Sequence, residues 1–155
     1  MALFSKSEKV TQAVYFSPGT DCLNAILAQI EVARTSLKIC VFTISDDRIT
    51  HAILQAHRNG VKVKIVTDNE KLYDQGSDIR QLAQAGIPVR VDHTSNHMHH
   101  KFAILDNTVV VTGSYNWTRS AALYNHENIV ITSAKPIVEG FCEEFDRLWA
   151  EMSSL

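Results

Sequence analysis

The sequence predicts an α/β fold, a mixed, mainly parallel sheet flanked by helices on both faces. Short aliphatic and β-branched runs alternate with stretches whose apolar residues recur at helical spacing, the mark of strand–helix–strand units covering a parallel sheet. Two apolar runs in the second half, 102–105 and 108–112, are separated only by Asp106-Asn107. That gap is too short for a helical crossover and adds an antiparallel portion. A chain of 155 residues with 45% hydrophobic and 21% charged content also suits one domain, spanning 1–155, with a substantial core.

Taken in order, Gln12 to Phe16 reads as a strand ending at Ser17-Pro18-Gly19. Thr20 or Asp21 can cap a helix running to Thr35, with Leu23, Ile26, Leu27, Ile30 and Ala33 on one face. Residues 37–42 form a short apolar strand. Asp46 or Asp47 then starts a second helix, with Ile49, Ala52, Ile53 and Ala56 at helical spacing and Asn59-Gly60 as its stop. In 61–66, Val61, Val63 and Ile65 alternate with Lys62 and Lys64, which is strand patterning. Residues 68–76 read as a polar, mobile loop. A helix over 77–85 stops at Gly86, and 87–91 is a strand. The two apolar runs around Asp106-Asn107 follow, then a strand over 128–132 and a closing helix over 136–152.

Chemistry concentrates in the second half, where His99, Lys101, Asp106, Gly113, Ser114 and Asn116 sit at offsets 0, +2, +7, +14, +15 and +17. On an extended strand, residues two apart project from one face, roughly 6.5 Å apart along the backbone. His99 and Lys101 therefore point the same way, an imidazole beside an ammonium, a pair suited to handling a phosphate. His100 should point away from them. Asp106 falls on the opposite face by alternation and reads as a structural anchor and turn former. Gly113 marks a tight turn or a close backbone approach. Ser114 and Asn116 offer a hydroxyl and an amide that can donate to phosphate oxygens. Glu127 opens the next strand, where its carboxylate could hold the ring N–H of His99 and fix its tautomer.

At these residues the chain resembles the phospholipase D superfamily, whose signature is HxK(x)4D(x)6GSxN. Every fixed position is met by His99, Lys101, Asp106, Gly113, Ser114 and Asn116, and Glu127 follows. Within the superfamily the chain looks like the single-motif types, the small bacterial endonucleases and the mitochondrial cardiolipin hydrolase type. The latter usually carries a Cys/His zinc insertion, and no such cluster stands in this sequence. The resemblance implies an α-β-α sandwich. It also implies phosphodiester cleavage through a covalent phosphohistidine at His99, phosphate binding by Lys101, Ser114 and Asn116, and no metal or other cofactor. Cleavage needs one neutral imidazole to attack phosphorus and one protonated imidazole to serve the departing oxygen. With a single motif in the chain, a homodimer sharing one active site is the expected solution.

Three functions compete. A metal-independent nuclease comes first, with Lys62, Lys64, Lys71, Arg80 and Arg119 as candidate backbone contacts. A phospholipase acting on a cardiolipin-like lipid comes second, although no helix offers a clear anchoring surface. A catalytically idle binding module comes last, since the motif is intact. The net charge of −2 excludes a binder that relies on bulk attraction to nucleic acid, so any nucleic-acid groove must be local. Trp117 reads as core packing or as a stacking surface. His93, His97, His99 and His100 raise a metal reading, weakened because no Asp, Glu or Cys lies at a paired ligand spacing nearby. His93 and His97 are expected in solvent or at the edge of the cleft. Cys22, Cys40 and Cys142 are expected to be buried free thiols. No transmembrane stretch exists, so no stable membrane insertion is expected, and residues 1–10 show no signal peptide. Localisation stays open, cytoplasmic by sequence or exported if a leader was removed.

Overall fold

The computed structural model describes residues 9–155. The first eight residues, and with them most of the segment read as lacking a signal peptide, lie outside it. The chain runs β1 (Gln12–Phe16), α1 (Asp21–Val32), β2 (Ser36–Val41), α2 (Asp47–Arg58) and β3 (Lys62–Thr67). A 3-10 turn (Glu70–Leu72), α3 (Ile79–Gln84), β4 (Val89–Val91), β5 (Lys101–Leu105) and β6 (Val109–Gly113) follow. The chain closes through α4 (Arg119–Leu123), β7 (Asn128–Thr132), α5 (Lys135–Glu151) and β8 (Ser153–Ser154). All eight strands join one sheet in the order β1-β7-β6-β5-β2-β3-β4-β8.

Alternation along the strands sorts the core into two layers. Ile39, Val41, Ala103 and Leu105 face α1, α2, α3 and α4, packing on Leu23, Ile26, Ile30, Ile53, Leu82 and Ala121. Cys40, Phe102, Ile104 and Val110 face α5, packing on Val138, Phe145 and Leu148. Each such fully buried apolar side chain contributes roughly 1.5–3 kcal/mol. Helices on both faces are thus present, as expected. The mainly parallel sheet is not. Among the described residues, β2–β3 and β3–β4 pair in parallel, and the other five pairings are antiparallel. The sheet is mixed and mainly antiparallel. A parallel neighbour needs a helical crossover, and α2 and α3 supply just two. The crossover through α1 separates its strands instead, because β1 pairs with β7 at the far edge.

Most predicted elements stand within one to three residues. The first helix ends at Val32 rather than Thr35 because the amides of Arg34, Thr35 and Ser36 are captured from elsewhere in the chain. All three donate to the Asp106 carboxylate at 2.7–3.1 Å, and Thr35 Oγ1 adds a fourth bond at 2.9 Å. Thr20 precedes α1 without a side-chain cap, whereas Asp46 caps α2 by accepting from the Arg48 amide. Gly60, at φ +89, ends α2 in the left-handed region that glycine tolerates. The 68–76 stretch holds the 3-10 turn and a fully buried Asp68, so it is more ordered than a mobile loop. Cys22 and Cys40 are buried free thiols, but Cys142 is only partly buried on α5. No helix among the described residues is long and apolar enough to cross a membrane.

Two substitutions test this frame. Gly113→Ala should cost about 1–3 kcal/mol in urea denaturation, because a Cβ there would sit 2.0 Å from the Asn128 carbonyl oxygen, a backbone atom that cannot yield. Asp106→Ala should cost about 2–3 kcal/mol at pH 7 by leaving three amides without their acceptor. Burial pushes the Asp106 carboxyl up, but the four hydrogen bonds outweigh it and hold the group below its ordinary value. Its stabilisation is therefore present above the unfolded value near pH 3.9 and fades as pH falls through the lower folded value. The gap between variant and wild type should be full at pH 5 and shrink in stronger acid.

Candidate active site

The sheet brings one set of strand ends together. The carboxyl ends of β2 and β3 lie beside the amino end of β5, because β5 runs antiparallel to β2 with Val41 opposite Lys101. The carboxyl end of β6 and the amino end of β7 lie next in order, with Gly113 opposite Ile129. His99 and Lys101 therefore gather with Phe42, Asp68, Ser114 and Glu127 at one edge. A cleft of about 770 Å³ opens beside His99, lined also by His93, His97, Met98, His100 and Arg147.

Lys101 Nζ lies 3.1 Å from His99 Nδ1 and also donates to the His99 carbonyl. An ammonium has no lone pair, so Nδ1 is the acceptor and the neutral ring carries its proton on Nε2. Partial desolvation, then the Lys101 charge and the imidazoles of His97 and His100, hold His99 below the ordinary histidine value against the opposing pull of Asp68. Burial likewise lowers the Lys101 ammonium, with Glu127 opposing. Both shifts favour a neutral imidazole and a poorly solvated cation, groups able to attack and to bind a phosphate. His100 points to the other face as alternation requires, and its Nε2 meets Glu144 Oε1 of α5 at 3.1 Å.

Glu127 lies at this edge without a hydrogen bond to His99. Its carboxylate accepts from Ser114 Oγ and, at 3.3 Å, from Asn125 Nδ2. The one proton of Ser114 is committed there, and its oxygen accepts from the Asn128 amide at 3.1 Å. Asn116 Oδ1 is buried without a hydrogen-bond partner among the described residues. The alternate motif positions serve the core: Tyr115 is 1% and Trp117 is 2% exposed, which settles Trp117 as packing. Burial pushes the Tyr115 phenol up to about 12.

Two site residues, Asp68 and Phe42, were not singled out from the sequence. Asp68, 0% exposed, accepts from the Met98 amide at 2.9 Å and faces His97 Nδ1 at 3.3 Å, pinning the segment that leads into His99. Phe42 lies against the His99 ring with centroids 4.6 Å apart and the planes tilted by 55°. His97 edges the cleft, one of the two placements open to it. A buried Asp directly after a β3 run was the available signal for Asp68. Nothing in the local pattern distinguished Phe42 from core. Asp68, Glu70 and His97 also place ligand-capable atoms within 4.8 Å of one another, so tertiary structure supplies the carboxylates missing from the local sequence around the histidines.

Residues 26–149 match the family model described as "Cardiolipin synthase, PLD-like domain". The chain is 46% identical over 127 residues to a mitochondrial cardiolipin hydrolase from Chlamydomonas reinhardtii, covering 82% of this chain and 57% of that protein. Proteins of the same name from Xenopus laevis and Homo sapiens are 47% and 42% identical, each over 135 residues, which is 86% and 87% of this chain. The chain spans 64% and 54% of those two. Among solved structures, Nuc from Salmonella typhimurium, a phospholipase D family member, superposes with a TM-score of 0.89 at 30% identity, covering 95% of this chain and 99% of that one. NucT from Helicobacter pylori shares the fold, with a TM-score of 0.86 at 23% identity over 95% of this chain and 100% of that one. Family model, relatives and fold agree with the complete HxK…D…GSxN set at this sheet edge, and the chain belongs to the phospholipase D superfamily, as a PLD-like domain with one HxK motif.

Proposed function

We propose that the chain hydrolyses phosphodiester bonds of nucleic acid without a metal, through a phosphohistidine at His99 in a site shared by two copies. The observation that carries this reading is the His99–Lys101 pair, 3.1 Å apart and shifted toward a neutral imidazole. A phosphate entering the site draws Lys101 to its oxygens and releases Nδ1. The ring proton can then reside on Nδ1, leaving the Nε2 lone pair for phosphorus. As the N–P bond forms, the P–O bond breaks, and the departing oxygen takes a proton from His99 of the partner subunit, which the bound phosphate anion holds as imidazolium. That imidazole, now neutral, takes a proton from water, whose oxygen attacks phosphorus and breaks the N–P bond. Lys101 and Asn116 hold the charge that develops on the phosphate oxygens. Ser114 joins them once its hydroxyl turns from Glu127 to the phosphate.

An uncovered apolar strip supports the second copy. Val14, Phe16 and Val130 are 54%, 64% and 40% exposed on the face that α5 leaves open. Phe16 lies opposite Asn128, whose amide meets Ser114 Oγ, so the strip runs to the rim of the site. Exposed aromatics support an unpaired nucleic-acid strand. Tyr73 is 76% exposed with the Arg80 guanidinium 5.0 Å over its ring, and Lys71 of the same segment reaches Phe42. Such a platform suits base stacking. Arg119 is paired with Asp47 and Lys64 lies over Trp149, which makes them weaker backbone contacts than the sequence suggests. A second reading, hydrolysis of a cardiolipin-like lipid, is favoured by the names of the 42–47% identical relatives.

Hydrolysis of bis(p-nitrophenyl) phosphate in excess EDTA should proceed with wild type and vanish in His99→Ala; turnover that EDTA abolishes would overturn the metal-free chemistry. Co-refolding wild type with excess His99→Ala should lower activity per wild-type chain, and a fully active monomer would refute the shared site. Lys101→Met should lose turnover and move the His99 titration upward by NMR, since removing an adjacent cation favours the imidazolium. Tyr73→Ala should raise KM severalfold for single-stranded DNA or RNA and leave the small diester unaffected. Turnover of cardiolipin vesicles with no cleavage of either nucleic acid would instead establish the lipid reading.

A further inference from the structure

We propose that Phe42 is a positioning residue for the nucleophile, its ring face holding the His99 imidazole and stabilising it as attack makes it cationic. The inference rests on the reading of His99 as nucleophile and adds a residue outside the motif. Phe42 directly follows β2, and its backbone is tied on both sides. Its amide donates to the His100 carbonyl at 2.9 Å, and its carbonyl accepts from Thr67 Oγ1 at 3.2 Å. The ring is therefore held by both neighbouring strands.

Four groups able to carry positive charge surround that one ring. The His99 ring lies 4.6 Å away by centroids at 55°, and His97 meets it edge-on at 5.3 Å. The ammonium nitrogens of Lys101 and Lys71 stand 5.2 and 5.0 Å from its centre. An aromatic face carries negative potential and attracts cations at these distances. Attack on phosphorus leaves a positive imidazole beside the Lys101 ammonium, and repulsion between them would oppose the step. Asp74 pairs with Lys71 at 2.8 Å, and Asp68 and Glu127 offset part of the charge on His99 and Lys101, but neither of those two carboxylates is hydrogen-bonded to His99. The Phe42 ring stands 4.6 Å from the His99 ring by centroids, against 6.4 Å for the His97 ring, and the Lys101 ammonium that meets His99 Nδ1 lies over the Phe42 ring. Its benefit grows as charge develops, so it lowers the barrier rather than strengthening substrate binding.

The test replaces Phe42 with 4-fluoro-, 3,5-difluoro- and 3,4,5-trifluorophenylalanine in the full chain, which drains the ring face at nearly constant shape. With bis(p-nitrophenyl) phosphate, kcat should fall stepwise, by about threefold to thirtyfold over the series, with KM within twofold. The His99 titration midpoint, followed by NMR, should fall in the same order as its cation loses support. Phe42→Leu, checked for an unchanged thermal transition, should resemble the trifluoro variant. A flat kcat and a flat titration across the series would overturn the proposal and leave Phe42 as packing. A rise in KM at constant kcat would also overturn it, assigning the ring to Lys71 and Lys101 in ground-state binding. If wild type proved inactive on every diester, the mechanism would fail, and the titration series would still decide whether the ring supports the His99 cation.

Discussion

The carboxylate of Asp106 is the contact on which the geometry of this molecule turns. It sits at the tip of the β5–β6 hairpin and gathers the amides of Arg34, Thr35 and Ser36 as the chain enters β2. Asp106 and Asn107 both adopt positive φ, at 52° and 53°, conformations that Asp and Asn tolerate better than most residues. The clamp holds the start of β2 against the end of β5, which sets their register from Leu37 opposite Leu105 to Val41 opposite Lys101. A slip of one residue would turn Lys101 toward α5 and His100 toward the site. The anchor lies at one end of the strand pair and its consequence at the other.

From that register the rest of the site follows. With Val41 opposite Lys101, Phe42 falls beside His100 in the backbone and its ring against that of His99. The parallel partner β3 then delivers Thr67 and Asp68 alongside, the first bonding the Phe42 carbonyl and the second the Met98 amide. On the other flank, the close approach of Gly113 to Asn128 lets β6 and β7 meet tightly enough for Ser114 to reach both Glu127 and the Asn128 amide. Backbone pairing thus holds both flanks of His99, and a strand-end site is more precisely placed than one on loops alone.

Electrostatics in the site are local. The chain carries a net charge of −2, yet Lys71, Lys101 and several imidazoles crowd one sheet edge. Partial desolvation, with the Lys101 charge and the neighbouring imidazoles of His97 and His100, favours a neutral His99, while Lys71 is paired with Asp74 at 2.8 Å. The same crowding makes a phosphate welcome there, because an anion relieves repulsion that the folded chain has already built in. On the opposite flank the cations are tied up, His100 by Glu144 and Arg147 by Glu144 and Glu151.

Much of this was legible in the sequence because the signals are local. Period-2 and helical patterning placed the strands and principal helices, the i, i+2 spacing put His99 and Lys101 on one face with His100 opposed, and the spaced motif identified the superfamily. Asp106 was legible as an anchor from its parity and its turn chemistry. What local pattern could not carry was partnership across the chain. Strand direction depends on which edges find each other, so a mainly parallel reading gave way to a mainly antiparallel sheet once β1 paired with β7 and the hairpin placed β5 beside β2. The sequence offered Glu127 as a partner for His99, and the fold gave its carboxylate to Ser114. Phe42 and Asp68 became site residues only because β2 and β3 end where β5 begins, contacts made across 25 to 58 residues of chain that no window of neighbouring side chains contains.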